Sequence, residues 1–265
     1  MTRATVAPSR GPVLLPVILV VVGTVLLLGS YLLLGAFSVT SLSFLLLVVL
    51  GIVVLLRGDI TPSTDARAFG ITRGSIESGS MVVNASDIDV YVEPLPSQER
   101  LVAGNFAANA RPALTAQDAH AYLTMDRAQT SLLSFADWEL GLATGMPWSL
   151  DCSASLGQMD VDLTNLIVES ARFSTGFGDI RLVAPIELLG EPIHVKSIMG
   201  NIHIVAPIGY RVQISAPATR FFRVNVDAAR YDALDNQTYL AKDAFSDAPL
   251  VVIQVQGIFG DAYIA

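Results

Sequence analysis

The sequence predicts a membrane-anchored all-β protein: two N-terminal helical spans followed by a β-solenoid-like domain with repeats of about 22 residues. Three observations carry that expectation. No charged residue occurs between Gly11 and Leu56, a stretch long enough for two bilayer crossings. The octapeptide GDIRLVAP at Gly178–Pro185 returns as GNIHIVAP at Gly200–Pro207, with five of eight positions identical. The residues after each glycine alternate apolar and polar, the period of a strand with one buried face.

The apolar block divides at Gly35 into spans at Pro12–Leu34 and Ser38–Leu56. Pro12 and Pro16 fall near the start of the first, where a missing amide donor costs least. A cleaved signal peptide is disfavoured, because its apolar region runs only about 7–15 residues. Arg3 and Arg10 precede the spans and Arg57, Arg67 and Arg73 follow them, which predicts a multi-pass cell-membrane location with both termini cytoplasmic. The expected organisation is a tail at 1–11, a two-helix hairpin at 12–56, a linker at 57–73 and a β-rich domain at 74–265. From Asp59 onward there are 24 acidic and 13 basic residues. That balance names the lipid bilayer as a partner only through the spans, and gives no basis for binding nucleic acid.

Ile180-Arg181-Leu182 and Ile202-His203-Ile204 alternate after their glycines, and the arms Ala171–Ser174 and Ile193–Lys196 match upstream at the same offset. Each unit reads as strand, glycine turn, strand, then Ala-Pro, where proline ends the ladder. Weaker copies lie at SLGQMDVDL, with Gly157-Gln158, and at the C-terminal GIFGDAYIA, with Gly260-Asp261. GSIESGSMVV at Gly74–Val83 is a degenerate candidate. Two geometries satisfy the pattern: coils whose equivalent strands pair in parallel, or a series of hairpins closed at the glycines. The near-identity of successive units favours stacked coils.

The remaining strands follow from the same alternation at Ile88–Val92, Trp138–Leu142 and Trp148–Cys152, with GMPW at Gly145–Trp148 as a turn. Leu114–Leu123 reads either as a short helix capped by Thr115, with Asp118 three residues on, or as a loop into a strand at Tyr122–Met125. The polar segment Asp227–Asp247 reads as an excursion from the stack.

Motifs for phosphate loops, zinc proteases, nucleophile elbows and cysteine pairs are all absent, so no catalytic, cofactor or metal residue is assigned. Cys152 is the single cysteine and alternates with Trp148 and Leu150, which marks it as buried rather than reactive. His194 and His203 are placed on adjacent strands of one unit; without a third ligand they read as solvent-facing rather than metal-binding, and His120 has no ligand spacing. Gln158, Asp179, Asn201 and Asp261 share one turn position. Their mixture of acids and amides suits side-chain bonding to nearby backbone better than a calcium site. Gly157, Gly178, Gly200 and Gly260 are assigned to turns needing positive φ or close backbone approach. The structural turn set is therefore Gly157, Gly178, Asp179, Gly200, Asn201, Gly260 and Asp261.

The run DWELGLATGMPWSLDCSASLGQMDVDLTNL, with FSTGFGDIRLVAP and SIMGNIHIVAPIGYRVQIS after it, resembles the LiaF-like C-terminal domain, the toastrack-type domain of cell-wall-active antibiotic responses. The resemblance covers most of Trp138–Ala265. It implies a right-handed β-helix and a non-catalytic regulatory or scaffold role in bacterial envelope-stress signalling, through contact with a sensor histidine kinase. The alternative is a structural scaffold in which open solenoid ends pair into homo-oligomers. An enzyme is the third class, and the missing motifs argue against it.

Overall fold

Alternating sequence becomes alternating burial throughout the β-rich part. In the strand Ser78–Ser86, Gly79, Met81, Val83 and Ala85 face inward while their neighbours face out. The computed structural model describes residues 22–25, 48–49, 66–97, 99–107, 110–127, 137–242, 244–245 and 247–265. Apart from 22–25 and 48–49, which are helical, the expected spans at 12–34 and 38–56 lie outside the described residues, as does most of the 57–73 linker. Among the described residues no helix is long and apolar enough to cross a membrane. Among the described residues the longest helical run is four residues against the roughly 20 a crossing needs, and the multi-pass membrane location expected from the sequence is corrected.

The repeats form rungs, each with one strand in each of two ladders. The first ladder takes β2 (Ser78–Ser86), β6 (His120–Asp126), β8 (Pro147–Ala154), β10 (Ile167–Phe177), β13 (Ile193–Met199) and β15 (Arg211–Ser215). The second takes β3 (Val90–Pro94), β7 (Trp138–Leu142), β9 (Met159–Asp162), β11 (Ile180–Val183), β14 (Ile202–Val205) and β16 (Phe222–Val226). The long β19 (Leu250–Ile264) serves both, and through it all 19 strands join one sheet. Pairing is parallel along β6-β2-β8-β10-β13-β19-β15 and along β7-β3-β9-β11-β14-β19-β16. Of the two geometries the sequence left open, the parallel solenoid-like stack is the one adopted. Ile180 pairs with Ile202 and Leu182 with Ile204, so the two octapeptides lie in register.

Stacking does not follow chain order at the ends. The first rung, β2/β3, is inserted between β6/β7 and β8/β9. The last strand, β19, is inserted between the β13/β14 and β15/β16 rungs. Both terminal rungs are therefore paired on two sides, which hides edges the chain ends would otherwise expose.

Antiparallel strands cover most of the remaining edges. β5 (Ala113–Gln117) folds onto β6. The hairpin turn has both Asp118 and Ala119 at positive φ, as a tight two-residue turn of matching twist requires. Leu114–Leu123 is thus most of a β-hairpin rather than a helix or a loop, and the expected strand at Tyr122–Met125 lies within β6. β4 (Arg100–Ala107) and β1 (Ala66–Thr72) extend the second ladder beyond β7. At the other end, β17 (Tyr231–Ala233) and β18 (Thr238–Ala241) form a hairpin on β15, so the 227–247 excursion is a cap. β12 (Glu187–Leu188) adds a short pairing to β10.

Inward side chains from both ladders make one apolar core, including Trp138, Trp148, Phe173 and Phe222. Within the first ladder Val83, Cys152, Phe173, Val195 and Val255 stand in one cross-strand row, each fully or almost fully buried. Burying each large side chain of such a row contributes about 1.5–3 kcal/mol.

Candidate interaction surface

The corner between the ladders is where the repeat glycines sit. Gly178, Gly200 and Gly260 hold φ of 155°, 152° and 123°, a region that L side chains disfavour. Crowding acts as well. A Cβ on Gly178, Gly200 or Gly260 would run into the carbonyl oxygen of Gly157, Gly178 or Gly200 respectively. Gly157 lacks the positive φ, and a Cβ there would strike the carbonyl of Ile88. Ile88 is therefore the corner residue of the first rung, and Gly74 is not. No glycine marks that copy, so the repeat pattern points to the wrong place.

The turn residues form a polar column. The carboxylate of Asp179 accepts the Asn201 amide at 2.7 Å, and the Asn201 side-chain oxygen accepts the Asp261 amide at 3.2 Å. Asp89 does the same for the Gln158 amide at 2.7 Å. Each side chain thus binds the backbone of the next rung. Among the described residues no group of three or more His, Cys, Asp or Glu could hold a metal ion.

Just before each corner glycine the chain points an apolar side chain outward. Leu156, Phe177, Met199 and Phe259 occupy this position, and Phe221 continues it on the β16 rung. Phe177 pairs with Met199 and Met199 with Phe259, while Phe221 stacks on Phe259 at 5.2 Å between centroids. These five side chains are 40–59 % exposed, and Ile198 and Ile258 beside them are exposed as well. Arg220 lies 5.4 Å from the Phe221 ring centroid. The result is a continuous apolar ridge, rich in the aromatic and methionine side chains that dominate protein contacts. Sequence alternation accounts for the buried residues but is silent about this row, because an apolar residue beside a turn glycine reads as core. The legible signal was its recurrence at one position in four repeats.

The outer face of the second ladder is polar. Arg181 pairs with Asp160 at 2.7 Å, and His203 stacks on Tyr263 at 4.8 Å. His194 lies on β13 and His203 on β14, the two consecutive strands of one rung as expected; the strands belong to different ladders, so the histidines are not register partners. At one end Asp137, Asp89 and Glu139 crowd together; partial burial first, then the charges of Asp89 and Glu139, raise the Asp137 carboxyl above its usual value. Cys152 is fully buried, and that burial pushes its thiol far up, away from the reactive thiolate.

No family model matches the chain, and no curated protein matches it. Among solved structures, a candidate cell adhesion protein from Clostridium sporogenes ATCC 15579 is similar, with a TM-score of 0.61 at 15% identity, over 76% of this chain and 98% of that one. A candidate adhesin from Bacteroides fragilis NCTC 9343 matches at a TM-score of 0.34 and 9% identity over 77% of this chain and 100% of that one, too distant to carry an argument. At such identities the first likeness establishes a shared β fold and nothing beyond it.

Proposed function

We propose that this chain is a non-catalytic regulatory or scaffold protein of the LiaF-like, toastrack type, acting in envelope-stress signalling by holding a sensor histidine kinase against its corner ridge. The single observation that carries this reading is the ridge Leu156–Phe177–Met199–Phe259–Phe221, apolar and exposed on a stacked scaffold. Apolar rows of this kind are costly in water unless a partner covers them. The rungs fix their spacing, so little conformational freedom is lost on docking.

Self-assembly through strand edges is the weaker reading. Antiparallel strands extend the ladders beyond β6, β7 and β15; β16 pairs only with β19 among the described strands.

The test is capture of the full-length chain from its native cell. The expected result is co-recovery of a sensor histidine kinase, lost when Phe177, Met199 and Phe259 are all changed to serine. Recovery of the protein with only further copies of itself would contradict the proposal.

A further inference from the structure

A second surface feature lies away from the corner. A shallow groove of about 260 Å³ crosses β2, β8 and β10 on the outer face of the first ladder. One wall is Ser80, Ser149 and Ser170; the other is Val82, Asp151 and Arg172. The walls are rows of register partners, since Ser80 pairs with Ser149 and Ser149 with Ser170, while Val82 pairs with Asp151 and Asp151 with Arg172. A β-bulge on β10 at Glu169 sets Ser170 opposite Ser149. Ser170 and Phe177 are seven residues apart on one strand, about 23 Å, so groove and ridge are separate surfaces.

The neighbouring strand β6, which pairs with β2 beside the groove, is rigidly built. Tyr122 is the register partner of Ser80 and is 48 % exposed. Its ring packs on His120 at 4.4 Å. His120 is in turn pinned at both ring nitrogens, by Ser78 at 2.7 Å and Ser80 at 2.8 Å. An exposed aromatic face is thereby held beside a row of hydroxyls. On β10, at the far side, Glu169 accepts from Ser149 of β8 at 3.0 Å, and Arg172 meets Glu191 at 3.5 Å in a solvent-exposed pair that is easily exchanged.

From this chemistry we propose that the groove binds a neutral oligosaccharide. The walls offer hydroxyls, a carboxylate and a guanidinium, the donors and acceptors that sugar hydroxyls require. Tyr122 supplies a flat apolar surface for the C–H face of a sugar ring. An anionic ligand is opposed by Asp151, Glu169 and Glu191 against the single Arg172. A metal ion finds no cluster of three ligands among the described residues. The volume falls just below the range of ordinary ligand sites, room for one or two rings with the rest of the chain in solvent. Such an open site binds weakly, with Kd on the order of 0.1–1 mM.

The test is calorimetric titration of the full-length chain with cellohexaose, maltohexaose and the hexamer of N-acetylglucosamine, alongside a polyanionic heparin hexasaccharide. The expected result is saturable binding of at least one neutral hexamer, weakened at least tenfold by Tyr122→Ala and by Asp151→Asn. His203→Ala, on the other ladder, leaves it unchanged. If Tyr122→Ala fails to fold, the near-isosteric Asp151→Asn decides the matter. Absence of binding to all three neutral hexamers, preference for the heparin fragment, or binding that survives Asp151→Asn would each overturn the proposal.

Discussion

A methyl group placed on Gly200 would be driven into the carbonyl oxygen of Gly178 on the neighbouring rung. The two glycines are one corner written twice, 22 residues apart. Gly200 also holds φ at 152°, so Gly200→Ala meets backbone strain and a clash together. The substitution is expected to cost about 3 kcal/mol, read as a lower midpoint in urea unfolding. A loss within about 0.5 kcal/mol would mean that the corners are looser than their packing implies.

The polar column makes a graded prediction. Asp179→Ala removes the acceptor for the Asn201 amide and is expected to cost about 1 kcal/mol. Asp179→Asn keeps an oxygen in place, as Asn201 itself does for Asp261, and should retain most of the stability. Equal losses in thermal melts of the two variants would show that charge, rather than the backbone bond, is what matters there.

Asp137 gives a pH dependence with a definite sign. Its carboxyl is raised by partial burial and by the neighbouring charges of Asp89 and Glu139, so the folded chain holds this proton more tightly than the unfolded chain. Stability from this group is therefore present at low pH and falls as pH rises from the ordinary aspartate range through the raised folded value. Asp137→Asn should raise the melting temperature at neutral pH and leave it little changed below that window. A lower melting temperature at pH 7 would contradict the crowding.

Cys152 should be inert in the folded protein. It lies in the row between Val83 and Phe173, fully buried. Alkylation by iodoacetamide at pH 8 is expected only after denaturation. Cys152→Ser places a hydroxyl among apolar side chains and should cost about 1–3 kcal/mol. Rapid labelling of the native protein would show that this row opens.

Much of the stack was legible because its signals are local. Alternation around Ile180 and Ile202 fixes which face is buried, and the Gly-Asp and Gly-Asn pairs mark corners. Rung order was not legible, since the insertion of β19 beside β13 depends on which edges need covering, a property of the whole stack. The hairpin at Asp118-Ala119 was hidden for a different reason. Its turn residues lack the glycine that usually signals positive φ, and its flanks carry helix-favouring alanines. The corner of the first rung uses Ile88, which carries no glycine to mark it in the sequence. The ridge is not legible in the sequence because hydrophobicity alone does not separate Phe173, which points inward, from Phe177, which points out. The expected membrane location failed because it rested on composition, and the described helical residues do not reach a spanning length.

The central claim is that the rungs stack with β19 between β13 and β15, which alone makes the ridge continuous. Paired cysteines test it directly. Met199 and Phe259 are register partners on adjacent strands, a separation suited to a disulfide. The account predicts that Met199→Cys with Phe259→Cys closes a disulfide in the oxidised native protein, while Met199→Cys with Phe221→Cys, two rungs apart, does not. Closure of the second pair and not the first would contradict it.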